Sequence, residues 1–386
     1  MSSVAGFRFA AVHAGLKKDG ALDLGLIAAD APCAAAAVLT RNRVKAAPVI
    51  LTAERVRRGR AQAIVANAGC ANAATGKAGL AAARAVTAGV GRALGIDESH
   101  VLPASTGVIG ALLPAERILS ALPALVGALG PDGADAFSRA ILTTDSGPKV
   151  AGATTKIGRR LVSVLGISKG AGMICPDMAT TLSFVVTDVA ASPAALRSVL
   201  RRATGETFNA ITVDGDMSTN DTIALMASGR AGNAPLERSS RDLGRFEGLL
   251  RDVLADLARQ IVRDGEGATK LVEVTVTGAP SAIGARDVAR KIACSPLVKT
   301  ALFGEDPNWG RILGAAGATS VRFDPERVSV KVGGIPIVRR GVAIGAQAEE
   351  RARAVMKGRE YEIRVDLGAG AGTARLLTCD FSFDYV

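Results

Sequence analysis

Lys169–Asp188, KGAGMICPDMATTLSFVVTD, joins a glycine-rich loop directly to an uninterrupted apolar strand, and the architecture turns on that junction. Leu182–Asp188 (LSFVVTD) reads as a buried strand. A threonine just before it is a poor nucleophile at neutral pH unless a base lies beside it. The chain has only two histidines, His13 and His100, so the nearest available base is the residue's own α-amine, exposed by cutting the preceding peptide bond. The hydroxyl of Thr180 would attack the carbonyl of Ala179, shift the acyl group from nitrogen to oxygen, and be freed by water. Thr180 then stands at a new N-terminus with its amine over its own hydroxyl. Pro176 stiffens the approach, Gly170 and Gly172 permit a tight backbone path, and the strand holds the nucleophile rigidly. Cys175 has no histidine nearby in sequence and reads as packing. By itself an Ala-Thr-Thr step before a strand is ordinary strand initiation, so other strings must carry the reading.

Working outward, the chain of 386 residues holds 47 Lys+Arg against 36 Asp+Glu, a formal charge of +11, with 48% hydrophobic and 3% aromatic residues. That is a globular composition, and at this length two substructures or a duplicated layer are expected. Two histidines argue against a His-rich zinc site and a Ser-His-Asp triad. Five cysteines, Cys33, Cys70, Cys175, Cys294 and Cys379, form no CxxC and read as reduced thiols of a cytoplasmic protein. The opening MSSVAGFRFAAVHAGLKKDG lacks a basic region followed by an apolar core, and no apolar run reaches about 18 residues. Secretion and membrane spanning are therefore excluded as expectations. An isoelectric point near 9.8 raises the question of nucleic acid. The arginines of ERVRRGR and LRSVLRR lie along helical stretches with few aromatics to stack on bases, so a solvated basic surface is the better reading. GVGRALG and GAGAGT are only near misses of a nucleotide loop.

The first half alternates β-like runs (AAAAVLT, QAIVANAG, HVLPAST) with Ala-rich helical ones, of which Lys77–Leu94 is the longest. The second half predicts a helix over Pro193–Arg202 capped by Ser192, a loop VDGDMSTNDT, a helix near Phe246–Val262 and a strand LVEVTVTG. RVSVKVGG and IPIVRR form a hairpin through Gly333–Gly334, a helix covers Gln347–Lys357, and EYEIRVDLG and TARLLTCDFS follow. The pattern is α+β without an internal repeat. No linker divides the chain; KGAGMICPDMATT comes nearest to a boundary, and is too apolar for a flexible tether.

KGAGMICPDMATTLSFVVTD, ASTGVIG, TTDSGPK, STNDT, DGEGATK, SPLVKTALFGEDPNWGRILGAAG and TCDFSFDYV resemble, in order and spacing, the ornithine acetyltransferase family, the glutamate N-acetyltransferases of cyclic arginine biosynthesis. The likeness runs from GFRFAAVHAGLK to the final valine. It implies an αββα sandwich of the self-processing, Ntn-hydrolase-like type, with two packed sheets, helices outside and the strand after the cut central. It also implies cleavage between Ala179 and Thr180 into an α chain, 1–179, and a β chain, 180–386, that stay together in an α2β2 assembly. Thr180 matches the nucleophile, Thr106 and Gly107 the oxyanion hole, and Thr143, Lys169 and Glu266 substrate-binding positions. The residue types suit an N-acyl amino acid: an ammonium neutralises a carboxylate, a carboxylate holds an amine, and a hydroxyl orients either.

The implied reaction is ping-pong transfer of acetyl from N2-acetyl-L-ornithine to L-glutamate through acetyl-Thr180. It uses no metal or redox cofactor, and some members also take acetyl-CoA. No nucleic-acid or membrane partner is expected. The runner-up is a self-processing amidohydrolase or aminopeptidase of related fold, with water in place of glutamate. Asn308, Trp309 and Arg311 of DPNWGR are given no chemistry, and Asn220 and Asp221 of STNDT are read as structural caps. Two features depart from the family. Thr181 stands where a bulkier apolar residue is usual, and the sequence ends at Asp384-Tyr385-Val386 where an Asn and a terminal Thr or Ser commonly follow, so no residue is assigned to those contacts.

Overall fold

The computed structural model describes residues 3–175 and 181–385. They form two units. The first takes the described residues through Gly170, those from 181 to Asn209, and Met217–Ile261; the second takes 171–175, Ala210–Asp216 and those from Val262 to 385.

The first unit has eight strands: β1 (Phe7–Val12), β2 (Leu24–Leu39), β3 (Arg60–Cys70), β4 (Val101–Val108), β5 (Lys149–Ile157), β6 (Arg160–Lys169), β7 (Leu182–Thr187) and β8 (Thr222–Ala227). They hydrogen-bond in the order β4-β3-β2-β8-β7-β6-β5, with β1 also on β2. The long strand β2 makes one sheet into two layers. Its register against β3 shifts between Ala28 and Cys33, and beyond that irregularity Ala34–Leu39 pairs with β8. A bulge bends the strand that carries it.

Alternation then sorts the side chains. Ile27, Ile64 and Leu102 of the first layer share a core with Ile167, Phe184 and Met226 of the second. Their sequence neighbours Leu26, Val65 and Val101 face the other way, into a core that includes Val86, Ile118 and Leu122. Those last three come from helices α2 (Gly76–Leu94) and α3 (Ala115–Gly127). Helix α1 (Ala47–Val56) guards the edge strand β4: Thr52 Oγ1 and an Arg55 guanidinium nitrogen donate to the carbonyls of Pro103 and Val101. On the outer side of the second layer lie α5 (Pro193–Glu206), packed on β2, and α6 (Leu243–Arg263). Gly166 of β6 leaves room for Leu257 and Val253 of α6, which a Cβ there would meet at 2.7 and 3.1 Å. The short helix α4 (Ala134–Ala140) sends Phe137 into the interlayer core, edge-on to Phe9 and Phe184 at centroid distances of 6.4 and 5.5 Å. Helices outside two packed sheets make the expected αββα sandwich, and β7 lies between β6 and β8 inside the sheet.

The second unit has six strands: β9 (Leu271–Ala279), β10 (Ser329–Val332), β11 (Ile335–Arg339), β12 (Val342–Ala343), β13 (Glu360–Asp366) and β14 (Gly372–Cys379), ordered β12-β11-β10-β13-β9-β14. Helices α7 (Ala282–Ala293), α8 (Pro296–Phe303), α9 (Trp309–Gly317) and α10 (Ala346–Met356) complete it. Gly333 and Gly334 turn the β10–β11 hairpin with φ of 55° and 82°, a pair of left-handed residues. Asn308 caps α9, accepting from the Arg311 N–H at 3.1 Å, and Trp309 donates from Nε1 to Glu349 at 3.1 Å at the border of the core.

Candidate active site

Strands β3 and β4 run parallel and in register, Gly69 opposite Gly107. Gly107 has φ +127°, and a Cβ on it would lie 2.4 Å from the carbonyl carbon of Gly69. Only glycine fits so close an approach, and Gly107 is exposed near the end of a strand whose first six residues are buried. Its neighbour Thr106 is 7% exposed, and its hydroxyl accepts from Lys169 Nζ at 3.3 Å. The same ammonium donates to Thr143 Oγ1 at 2.7 Å. Three positions far apart in sequence, at 106, 143 and 169, are therefore drawn together by one cation.

Lys169 is the last residue of β6 and only 5% exposed, so its ammonium is not a surface charge. A buried ammonium needs a counter-charge, and Asp145, whose side chain is wholly buried, supplies it. Its Oδ2 lies 3.8 Å from Lys169 Nζ and accepts from the Thr143 N–H at 3.0 Å. Its Oδ1 accepts from Lys149 Nζ and from the Gly170 N–H, both at 2.6 Å. Burial alone would push this carboxyl up, but Lys169, Lys149 and these bonds outweigh it and hold Asp145 below the usual carboxylate range. Asp145 and Lys149 lie inside the quoted string TTDSGPK, yet the sequence reading took only Thr143 from it. The i, i+4 spacing of Asp145 and Lys149 was the available signal.

Beside this cluster begins β7. Thr181 is 1% exposed, its N–H donates to Asp221 Oδ1 at 3.1 Å, and its carbonyl accepts from the Thr222 N–H at 2.9 Å. Asn220 and Asp221, read as structural caps of the following segment, directly precede β8, and their side chains bond outward, to the Ser105 carbonyl of β4 and the Thr181 N–H. Desolvation pushes the Asp221 carboxyl well above its ordinary range. Ala179 and Thr180, with Pro176, lie outside the described residues.

Glu266 belongs to the second unit, on the loop after α6, where its N–H donates to the carbonyl of Ala171 at 2.9 Å. Gly172 makes room for it: a Cβ there would sit 2.5 Å from the Glu266 carboxyl carbon. Asp214 ties down the same segment, accepting from the N–H groups of Met173 and Ile174 at 2.5 and 3.0 Å. Cys175 is buried with its sulfur 3.3 Å from an Arg290 guanidinium nitrogen. His13 is engaged with the Ala21 carbonyl at 2.8 Å and with Asp23 at 3.2 Å. Among the described residues no group of three or more His, Cys, Asp or Glu could hold a metal ion, and no helix is long and apolar enough to cross a membrane.

The ArgJ family model matches residues 8–386. A Geobacter sulfurreducens protein named arginine biosynthesis bifunctional protein ArgJ is 50% identical over 384 residues, covering 100% of this chain and 98% of its own. One of the same name from Desulfotalea psychrophila is 46% identical over 383 residues, covering 99% and 98%. A crystal structure of arginine biosynthesis bifunctional protein argJ from Bacillus halodurans is 44% identical with TM-score 0.51, covering 53% of this chain and 95% of that one. Matched along nearly its whole length, the chain belongs to the ArgJ family.

Proposed function

We propose that this chain cuts itself between Ala179 and Thr180 and then moves the acetyl group of N2-acetyl-L-ornithine to L-glutamate, with acetyl-CoA as a second donor. The freed amine of Thr180 takes the hydroxyl proton as the oxygen attacks the acetyl carbonyl. The C–N bond breaks, ornithine leaves with that proton, and Thr180 carries the acetyl ester. The amine of glutamate attacks the ester, the hydroxyl is restored, and N-acetylglutamate departs. No metal or redox cofactor enters either half. The cut chains act in the cytoplasm as an α2β2 assembly without nucleic-acid or membrane partners.

The observation that carries the reading is the Lys169 ammonium between two threonine hydroxyls. A hydroxyl that accepts from an ammonium keeps its own proton to donate, and that proton is the more acidic for it. Thr106 Oγ1 is thereby a donor for the developing oxyanion beside the Gly107 N–H, each lowering the barrier by about 3 kcal/mol. Thr143 and Lys169 hold the substrate carboxylate, and Glu266 its side-chain amine.

The test is mass and turnover together. Intact mass of denatured protein gives two fragments meeting between Ala179 and Thr180, while Thr180→Ala gives one uncut chain without transferase activity. Without an acceptor ornithine appears only to about one equivalent per cut chain, and turnover beyond that needs glutamate or another acceptor. An uncut, active wild-type chain sinks the reading, and acetate released without glutamate turns it to a hydrolase.

A further inference from the structure

Ser218–Thr222, the STNDT string ahead of β8, has no part in the chemistry above, yet it is buried throughout. Asn220 Nδ2 donates to two carbonyls at once, Ala71 at 2.7 Å and Ser105 at 2.8 Å. Thr219 Oγ1 donates to its Oδ1 at 2.6 Å, so the two ends of the amide have partners of opposite kind. The Ser105 carbonyl belongs to the same planar peptide as the Thr106 N–H, so holding one end aims the other. It fixes the backbone immediately before the oxyanion donors.

The next residue reaches the other way. Asp221 Oδ1 accepts from the N–H of Thr181, which belongs to the peptide that follows Thr180 in the sequence. Asp221 is 0% exposed, and neither its Oδ2 nor the buried Thr181 Oγ1 has a hydrogen-bond partner among the described residues. Burying an acid this deeply costs free energy, and the hydrogen bond its Oδ1 accepts from the Thr181 N–H is what the position gains from it. The backbone of the string is itself pinned: the Thr40 and Ala46 N–H groups donate to the carbonyls of Asp221 and Thr219 at 3.0 and 2.9 Å. Two adjacent side chains on one rigid segment thus hold the strand end before Thr106 and the strand end after Thr180.

We propose that Asn220 and Asp221 are positioning residues, a clamp that sets the span between the oxyanion donors at Thr106 and Gly107 and the nucleophile at Thr180. The inference rests on the acyl-transfer reading above. It adds that both self-cleavage and acetyl transfer depend on this span, because each forms an oxyanion that the same donors must reach.

The experiment compares Asn220→Asp, which keeps size but loses the donor, with Asp221→Ala, which loses the acceptor, and Asp221→Asn, which keeps it. Cleavage is timed by intact mass after cell-free synthesis of the full chain. Turnover of the cut enzyme is expressed per chain that takes up an acetyl mass from N2-acetylornithine, which removes inactive protein from the comparison. Asn220→Asp and Asp221→Ala are expected to slow cleavage and to lower kcat per acetylated chain about 10- to 100-fold, with KM changed less than about threefold. Asp221→Asn restores both rates to within about threefold of wild type. A purely structural pair would lower the number of acetylated chains and leave kcat per chain alone; that result overturns the clamp. So does loss of cooperative melting in all three variants, which would place the pair in the core and nothing more. A wild-type chain that is not cut before Thr180, or takes up no acetyl group, fails the acyl-transfer reading instead, and the two failures are read separately.

Discussion

At the scale of single residues, the first unit concentrates its risk on Asp145, which faces two buried ammonium groups, Lys149 at 2.6 Å and Lys169 at 3.8 Å. Asp145→Asn keeps the shape and removes the buried carboxylate that faces both cations, an expected loss of about 3–5 kcal/mol at neutral pH in chemical denaturation. The sign with pH follows from the lowered carboxyl. Its contribution is present above the carboxylate range of an unfolded chain and is lost as pH falls through the still lower folded value. The stability gap between wild type and Asp145→Asn should therefore close in acid and stay open above it. Gly172 makes a different prediction. The atom a Cβ would strike is the end of the flexible Glu266 side chain, so Gly172→Ala displaces the carboxylate and leaves the backbone in place. On the proposed reading of Glu266 as a substrate contact, KM for N2-acetylornithine should rise about tenfold with a melting temperature near that of wild type, the loss of one charge-assisted contact. A fall in stability with KM unchanged would overturn the proposed substrate role of Glu266.

At the scale of elements, the sequence was most readable where turn chemistry and periodicity agreed. Ser192 caps α5, accepting from the Ala195 N–H, and the Gly333–Gly334 hairpin joins β10 to β11 as expected. The two glycines are not equivalent, however. A Cβ on Gly333 would meet Val355 at 2.2 Å, whereas nothing lies within 4 Å of one on Gly334. Gly333→Ala should cost about 2–3 kcal/mol in denaturant melts, and Gly334→Ala about 1, since the second bears only the left-handed strain. Helix α2 and strands β3, β4, β7, β9 and β13 also lie where their patterns put them. The β5–β6 hairpin went unread although its strands pair in full from Lys149↔Ser168 to Ile157↔Arg160. Its strands are split by Gly158, which has φ +58°, and their polar face of threonines and lysines hides the strand period. In the site, residues named by the motifs were legible, while Asp145 and the Asn220–Asp221 pair were not. Their roles come from partners up to 149 positions away in sequence, and only the sheet order makes those neighbours.

At the scale of the whole molecule, the proposed cut and the fold divide the chain differently. Strands β7 and β8, which follow residue 180, are inserted between β2 and β6, which precede it. Breaking the peptide bond therefore breaks no ladder. The two fragments should elute together in native size-exclusion chromatography and part only in denaturant, and their separation in plain buffer would contradict the sheet order. The bent strand β2 waits longest for its partner. Its second half finds β8 only when Thr222–Ala227 exists, a long loop to close before any reward. A nascent chain on the ribosome consequently holds an unfinished layer until residue 227 has emerged. Self-cleavage, on the proposed reading, is timed by translation itself: the scissor is assembled only after the ribosome has passed well beyond the place to be cut.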